Sequence, residues 1–406
     1  MFQETHVERK VSKGITAPKG FRSAGIHCGI KKFKKDLALI VSDIPATAAG
    51  AFTLNKVQAA PVLLCKENLA NGKTFRAIVC NSGNANACTG ESGYQDALAM
   101  AKETADALGI NAEEVFVSST GVIGEKLPME KVIAGINKAA SVICESEFLS
   151  AAEAILTTDT FVKSHQTSFV INGAVVSIGG VAKGSGMIHP NMATMLGFVT
   201  TDASIDKPTL QKLLNTTNNK TFNRIVVDGD TSTNDMVIIL ANGASGITIV
   251  EGTEEYNLFE QELFCLLKKL SIDIVKDGEG ATKLIEITVD GALTDKDAEK
   301  AARTVALSPL VKTAIHGEDA NWGRILAAVG YSGIEFNPEK FEITINKVPI
   351  LKQNYFVTLP NAIANQTLKP SEINLLLELH CGKGKATCWT CDFSEEYVKI
   401  NGSYRT

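Results

Sequence analysis

Lys183-Gly184-Ser185-Gly186-Met187-Ile188-His189-Pro190-Asn191-Met192-Ala193-Thr194-Met195-Leu196 sets Thr194 behind a small residue at the end of a glycine-rich approach. A threonine hydroxyl is a weak nucleophile until a base stands beside it. The nearest base is the residue's own α-amine, which exists only if the preceding peptide bond is cut. Such an amine has a reference pKa of about 7.7–8, so a useful fraction is neutral at physiological pH. The competing reading is a tight loop entering a strand, with Thr194 an ordinary strand residue. Residue chemistry alone leaves both readings open.

Upstream of that loop, Phe169-Val170-Ile171 and Ala174-Val175-Val176 flank Asn172-Gly173, a strong hairpin signal. The second strand runs through Ser177-Ile178 towards Lys183. A nucleophile at the start of the following strand is held rigidly, and the glycines before it leave room for substrate. Earlier in the chain, Ser92-Gly93-Tyr94-Gln95 predicts a capping box opening a helix with Ala97, Leu98, Ala101, Ala105 and Leu108 on one face; Gly109 closes it. Pro128 begins a second amphipathic helix with a stripe of Val132, Ile133, Ile136, Ala140 and Ile143, and residues 147–156 read as a third. Later segments predict helices around 210–215 and 258–270 and strands at 225–227, 236–240 and 284–289, with Thr294-Asp295-Lys296-Asp297 capping a further helix. Helical and strand-like segments alternate throughout, which predicts a mixed α/β (α+β) body rather than a bundle or a sandwich.

With 406 residues, the chain is long enough for two domains or one large intertwined body. Its 45% hydrophobic and 21% charged residues are ordinary for a globular protein. A net charge of −5, with no basic stripe interleaved with aromatics, gives no field for nucleic acid. Lys31-Lys32 and Lys34-Lys35 read as a solvated turn. The beginning, Met1 to His6, lacks a basic segment followed by an apolar one, and no apolar run approaches the ~20 residues of a membrane span, so a cytoplasmic protein without membrane contact is expected. Nine cysteines in such a chain predict reduced thiols, with Cys65, Cys80 and Cys265 as small core residues. His380-Cys381 with Cys388-Trp389-Thr390-Cys391 has a zinc-like or redox-like look, but the first pair is adjacent rather than two apart, and no metal is expected.

Beyond the opening segment, further blocks stand out. They are Asn81-Ser82-Gly83-Asn84-Ala85-Asn86-Ala87, Ser118-Ser119-Thr120-Gly121-Val122-Ile123-Gly124, Thr157-Thr158-Asp159-Thr160, Asp277-Gly278-Glu279-Gly280-Ala281-Thr282-Lys283, Gly317-Glu318-Asp319-Ala320-Asn321-Trp322-Gly323-Arg324 and Tyr397-Val398-Lys399-Ile400-Asn401. Seven blocks in this order resemble the ornithine acetyltransferase family (glutamate N-acetyltransferase, of arginine biosynthesis) over nearly the whole chain. The resemblance implies a self-cleaving body of layered sheets and helices, an acyltransferase with an N-terminal threonine nucleophile. Its α chain would be residues 1–193 and its β chain residues 194–406, both from one precursor, pairing further into an α2β2 assembly. The last ~120 residues are expected to form a subdomain, on length alone.

The resemblance also implies roles. Scission falls between Ala193 and Thr194, and Thr194 is the nucleophile. Thr120 and Gly121 form the oxyanion hole, where preorganised donors are each worth roughly 3–4 kcal/mol. Substrate-binding positions fall on Thr157, Lys183, Thr194, Glu279, Asn401 and Thr406, the last two implying a tail folded over the site. Lys183 can take a carboxylate and Glu279 an ammonium. The expected reaction carries acetyl from N-acetylornithine to glutamate in a ping-pong cycle without metal or organic cofactor, acetyl-CoA being a possible second donor. The rivals are an amidohydrolase or aminopeptidase with the same kind of nucleophile and an uncleaved binding protein.

Three motifs fail. The 179–185 segment has Gly after its lysine, not the Ser or Thr of a phosphate loop. Asp228-Gly229-Asp230 begins like a calcium loop, but Thr233 and Ile239 stand where Gly and Glu belong. His189 reads as structural, since an N-terminal threonine brings its own base. The 81–87 and 317–324 blocks are expected to be tight turns near the site.

Overall fold

The computed structural model describes residues 13–72, 74–189 and 195–403. The first part of the chain forms β1 (Phe21–Ile26), β2 (Leu37–Phe52), α1 (Ala60–Asn71), β3 (Phe75–Asn84), α2 (Gly90–Leu108), β4 (Val115–Val122), α3 (Met129–Val142), α4 (Phe148–Ala154), β5 (Lys163–Ile171) and β6 (Ala174–Lys183). Then follow β7 (Leu196–Thr201), β8 (Ser204–Ile205), α5 (Lys207–Asn219), β9 (Ile225–Val226), β10 (Met236–Ala241), β11 (Thr248–Ile249) and α6 (Glu254–Lys276). The remainder is β12 (Leu284–Ala292), α7 (Asp295–Leu307), α8 (Pro309–His316), α9 (Trp322–Gly330), β13 (Glu342–Ile345), β14 (Val348–Lys352), β15 (Phe356–Val357), α10 (Asn361–Ala364), β16 (Glu372–Glu378), β17 (Gly384–Cys391) and α11 (Glu395–Gly402). The mixed α/β class with layered sheets and helices is as predicted.

The larger sheet runs β4-β3-β2-β10-β7-β6-β5, with β1 also against β2. Its organiser is β2, which serves two neighbourhoods in turn. The first half, from Leu37, pairs with β1 and β3, while Thr47 to Phe52 pair with β10. Period-two alternation sorts the side chains. Ala38, Ile40, Ile78, Cys80 and Phe116 share one inner cluster with Val181, Phe198, Met236 and Ile238 from the other half. The outward residues Leu39, Val79 and Val117 pack under α1, α2 and α3. On the other half, Ile178, Val199 and Ile239 pack under α5 and α6.

A second sheet, β15-β14-β13-β16-β12-β17-β9, lays Ile285, Ile287, Leu375 and Leu377 against α7, α8 and α9. Trp389 and Cys391 of β17 join the first body's core. No helix among the described residues is long and apolar enough to cross a membrane.

Local signals were read well where the partner is close in sequence. The Asn172-Gly173 turn has positive φ at both residues (50° and 80°), as its hairpin type demands. Thr294 caps α7 by accepting from Asp297 N. The Ser92 capping box does not form. Helix α2 already begins at Gly90 behind Thr89, and the Ser92 hydroxyl turns back to the Thr89 carbonyl. Leu98 is exposed while Ala97, Ala101 and Ala105 are buried, so the buried stripe is the small one. Cys265 is exposed, because the stripe of α6 runs through Leu263, Leu266, Leu267 and Leu270. The Lys31 turn is not simply solvated. Its ammonium is half-buried and donates to the carbonyls of Leu156 and Lys35, and burial pulls it down to about 8.

Candidate active site

Strand β4 carries Ser118-Ser119-Thr120-Gly121 just before its last residue, Val122, and the end of β3 lies alongside it. Ser119 Oγ donates to Asn81 Oδ1 at 2.6 Å, and Asn81 Nδ2 donates to Asn84 O at 2.8 Å. Asn234 closes the arrangement by donating to Ser119 O and Ala85 O. Gly121 has φ +136°, and a Cβ placed there would lie 2.3 Å from the Gly83 carbonyl carbon, so no other residue fits. The bare backbone opens the end of β4 to a ligand.

Lys183 ends β6 almost fully buried, with Nζ 3.4 Å from Thr120 Oγ1. Behind it lies a buried ionic network. Lys163 Nζ stands 2.7 Å from Asp159 Oδ1 and 2.5 Å from Asp277 Oδ2. Asp159 also accepts from Gly184 N (2.7 Å) and Thr157 N (2.9 Å), and Asp277 accepts from Thr160 N. Burial opposes ionisation of Asp159, but Lys183, Lys163 and the Thr157 N–H outweigh it and hold the carboxyl well below the usual range. The network thus locks Thr157, Lys183 and the segment leading to Glu279 against one another.

Glu279 is fixed by its N–H to Ser185 O (2.8 Å), and its Oε2 accepts from Asn401 Nδ2 at 2.8 Å. Asn401 sits on α11, so the chain's end does return to the site. Asp228 accepts from Met187 N and Ile188 N at 2.6 and 2.9 Å. It also meets the Tyr397 hydroxyl of α11; burial and the neighbouring carboxylates push that phenol upward.

These elements enclose a cavity of about 250 Å³ lined by Thr120, Gly121, Thr157, Lys183, Glu279 and Asn401, every predicted site residue that falls within the described residues. Ala193, Thr194 and Thr406 lie outside them. Met195, the first described residue after Thr194, lines with Thr120 and Lys183 a smaller void beside the cavity. One ammonium and one carboxylate lining one cavity suit a small zwitterion or its acylated form.

Four contributors escaped sequence reasoning: Asp228, Ser232, Asn234 and Asp235. Ser232 and Asn234 line the cavity, and Asp235 Oδ1 accepts from Met195 N at 3.0 Å. Their signal was a dense run of short polar residues immediately before apolar β10, set aside once it failed as a calcium loop. The 81–87 block does border the site, through Ala85. The 317–324 block does not. It forms the turn into α9, where Asn321 caps the helix by accepting from Arg324 N. His189 is half-buried with Nδ1 unpartnered among the described residues, and burial and Arg303 pull its pKa down.

Among the described residues no group of three or more His, Cys, Asp or Glu is placed to hold a metal. Cys388 and Cys391 are buried in β17, and burial pushes the Cys388 thiol up to about 11. Cys381 Sγ turns to the Gly291 carbonyl.

The profile of the ArgJ family matches residues 22–406. The arginine biosynthesis bifunctional protein ArgJ of Symbiobacterium thermophilum is 51% identical over 397 residues, 97% of this chain and 98% of that one. The protein of the same name from Caldanaerobacter subterraneus subsp. tengcongensis is 52% identical, with the same coverage. The crystal structure of the arginine biosynthesis bifunctional protein ArgJ from Bacillus halodurans is 44% identical with a TM-score of 0.50; the match covers 51% of this chain and 98% of that one. The resemblance carried by the seven blocks is borne out, and with half its residues shared along almost its whole length this chain is an enzyme of the ArgJ family.

Proposed function

We propose that the enzyme moves the acetyl group of N2-acetyl-L-ornithine to L-glutamate through an acetyl ester on Thr194, after scission between Ala193 and Thr194. What carries the reading is convergence. Six residues from five separate blocks, with an ammonium and a carboxylate among them, meet at one cavity beside Met195. In the precursor the Thr194 hydroxyl attacks the Ala193 carbonyl, and water opens the resulting ester. The freed α-amine then serves as base, taking the hydroxyl proton as Thr194 attacks the acetyl carbonyl and returning it to the departing ornithine nitrogen. Thr120 and Gly121 stabilise the oxyanion. Lys183 receives the substrate α-carboxylate and Glu279, oriented by Asn401, the ornithine ammonium. Glutamate then enters and takes the acetyl group.

The Bacillus halodurans polypeptide, matched over 98% of its length by 51% of this chain, supports scission, since it is a half-length chain. The two products, 1–193 and 194–406, stay together as one body, pair into α2β2 in the cytoplasm, and need no metal or organic cofactor. Acetyl-CoA is a second acetyl donor, which would account for the bifunctional name of the relatives.

Intact-mass measurement with N-acetylornithine tests this: an acetyl adduct on a fragment beginning at Thr194 is expected, and Thr194→Ala should leave the chain whole and inactive. A cleaved Thr194→Ala chain refutes the nucleophile assignment. Release of acetate without N-acetylglutamate, when glutamate is supplied, would instead favour a hydrolase.

A further inference from the structure

Asn234 is a buried amide, only 5% exposed, that lines both the cavity and the smaller void beside it. The run that carries it is fixed through its backbone to an earlier part of the chain. Thr53 Oγ1 donates to Ser232 O at 2.8 Å, Ala59 N to Thr233 O at 2.9 Å and Thr53 N to Asp235 O at 3.0 Å. On this base the side chain has one way to face. Its Oδ1 accepts from Thr233 Oγ1 at 2.6 Å, and its Nδ2 donates to Ala85 O at 2.6 Å and to Ser119 O at 2.8 Å. Carbonyl oxygens only accept, so a flipped amide would set three oxygens together.

The two carbonyls matter for what lies between them. Ser119 directly precedes Thr120. Ala85 N donates to Val122 O at 2.9 Å, and Val122 directly follows Gly121. One amide therefore brackets the Thr120–Gly121 pair: it holds the residue before the pair directly and the residue after it through Ala85. The peptide group is planar, so fixing the Ser119 carbonyl also fixes the direction of the Thr120 N–H. Gly121, at φ +136° against the Gly83 backbone, has no slack of its own. Among the described residues β4 is the last strand of its sheet, paired with β3 alone, so no further strand supplies this hold.

We propose that Asn234 is a positioning residue for acetyl transfer, keeping Thr120 and Gly121 aimed at the place where the oxyanion forms. The inference rests on the oxyanion role given to that pair above. Both amide hydrogens of Asn234 are spent on backbone carbonyls, so it acts through the pair and not on the substrate. Donors aimed in advance stabilise the developing charge without reorganising during the reaction, and the benefit falls steeply once they drift. The aim is set across the expected scission point, by a residue beyond it acting on two that stand before it.

Asn234→Ala removes both donors. Steady-state kinetics, normalised to the fraction of enzyme that intact mass shows to take up acetyl, should find kcat lowered roughly 10- to 100-fold. KM for N-acetylornithine should stay within about twofold, since the lost interaction is felt only in the transition state. A merely structural role predicts a smaller active fraction or a lower melting temperature with kcat of that fraction unchanged, and this result overturns the proposal. A double-mutant cycle with Gly121→Ala supplies the second readout. Because both changes act on the same donors, the double variant should lose little more than Gly121→Ala alone; losses that multiply overturn the proposal as well. Should Asn234→Ala fail to fold or to be cleaved, Thr233→Val decides. It removes the hydroxyl that holds Asn234 Oδ1, and a several-fold fall in kcat at unchanged KM is expected, whereas the wild-type kcat overturns the proposal. A Gly121→Ala enzyme with undiminished kcat defeats the oxyanion reading itself, a different result from a Gly121→Ala loss that Asn234→Ala does not share.

Discussion

Gly121 carries the tightest stereochemical demand at the cavity, with positive φ and the Gly83 backbone where a side chain would stand. Gly121→Ala must therefore push β4 away from β3 at the residue whose N–H is proposed to stabilise the oxyanion. A loss of about 100-fold or more in kcat is expected, with KM for N-acetylornithine changed far less, measured by steady-state kinetics. At this scale the sequence was informative where a residue's chemistry is displayed by its own block, as for Thr120, Lys183 and Glu279. It was silent on Asp228 and Asp235. Their partners are the backbone N–H groups of Met187, Ile188 and Met195, some forty residues upstream, and a backbone donor leaves no mark in the letters. Lys31 was misjudged for the same reason, since the carbonyl of Leu156 that receives it belongs to a distant turn.

Among elements, α11 is the one whose importance exceeds its packing. None of its described residues is buried, yet it brings Asn401 to Glu279 and Tyr397 to Asp228. A hydrogen bond to a charged group is worth about 1.5–3 kcal/mol, so Asn401→Ala should raise KM for N-acetylornithine roughly tenfold or more while leaving thermal stability nearly unchanged. The strand β5 makes the opposite case. Lys163 at its start lies wholly buried between Asp159 and Asp277. Lys163→Met would strand two carboxylates and should cost about 3–5 kcal/mol in denaturant unfolding. The sign with pH follows from Asp159, whose carboxyl is held below its ordinary value. Its contribution is complete above about pH 4 and is lost only as the pH falls further, so removing Lys163 should move acid unfolding to higher pH. Hairpins and caps such as Asn172-Gly173 and Thr294 could be read locally. The bent course of β2 and the sheet order around it could not, because pairing between residues two hundred apart is decided by which buried faces complement one another.

Seen whole, the large sheet is interleaved across the expected scission point. Strands β7 and β10 lie between β2 and β6, which both come from residues before 184. Two ladders, Thr47–Phe52 with β10 and Ile178–Lys183 with β7, tie the halves together, beside the buried Lys163–Asp277 pair. Fragments 1–193 and 194–406 should therefore co-elute in size-exclusion chromatography after scission and part only in denaturant; separate elution under native conditions would contradict this. The same weave sets a schedule during protein synthesis. While the nascent chain is leaving the ribosome, β7 can join β6 once residue 201 has emerged, but β2 and β7 wait with open edges until residue 241 is out and β10 can fill the gap between them. Under the proposed scission, a half-made polypeptide therefore lacks the closed sheet that frames the cleavage point, and topology alone would delay its rupture.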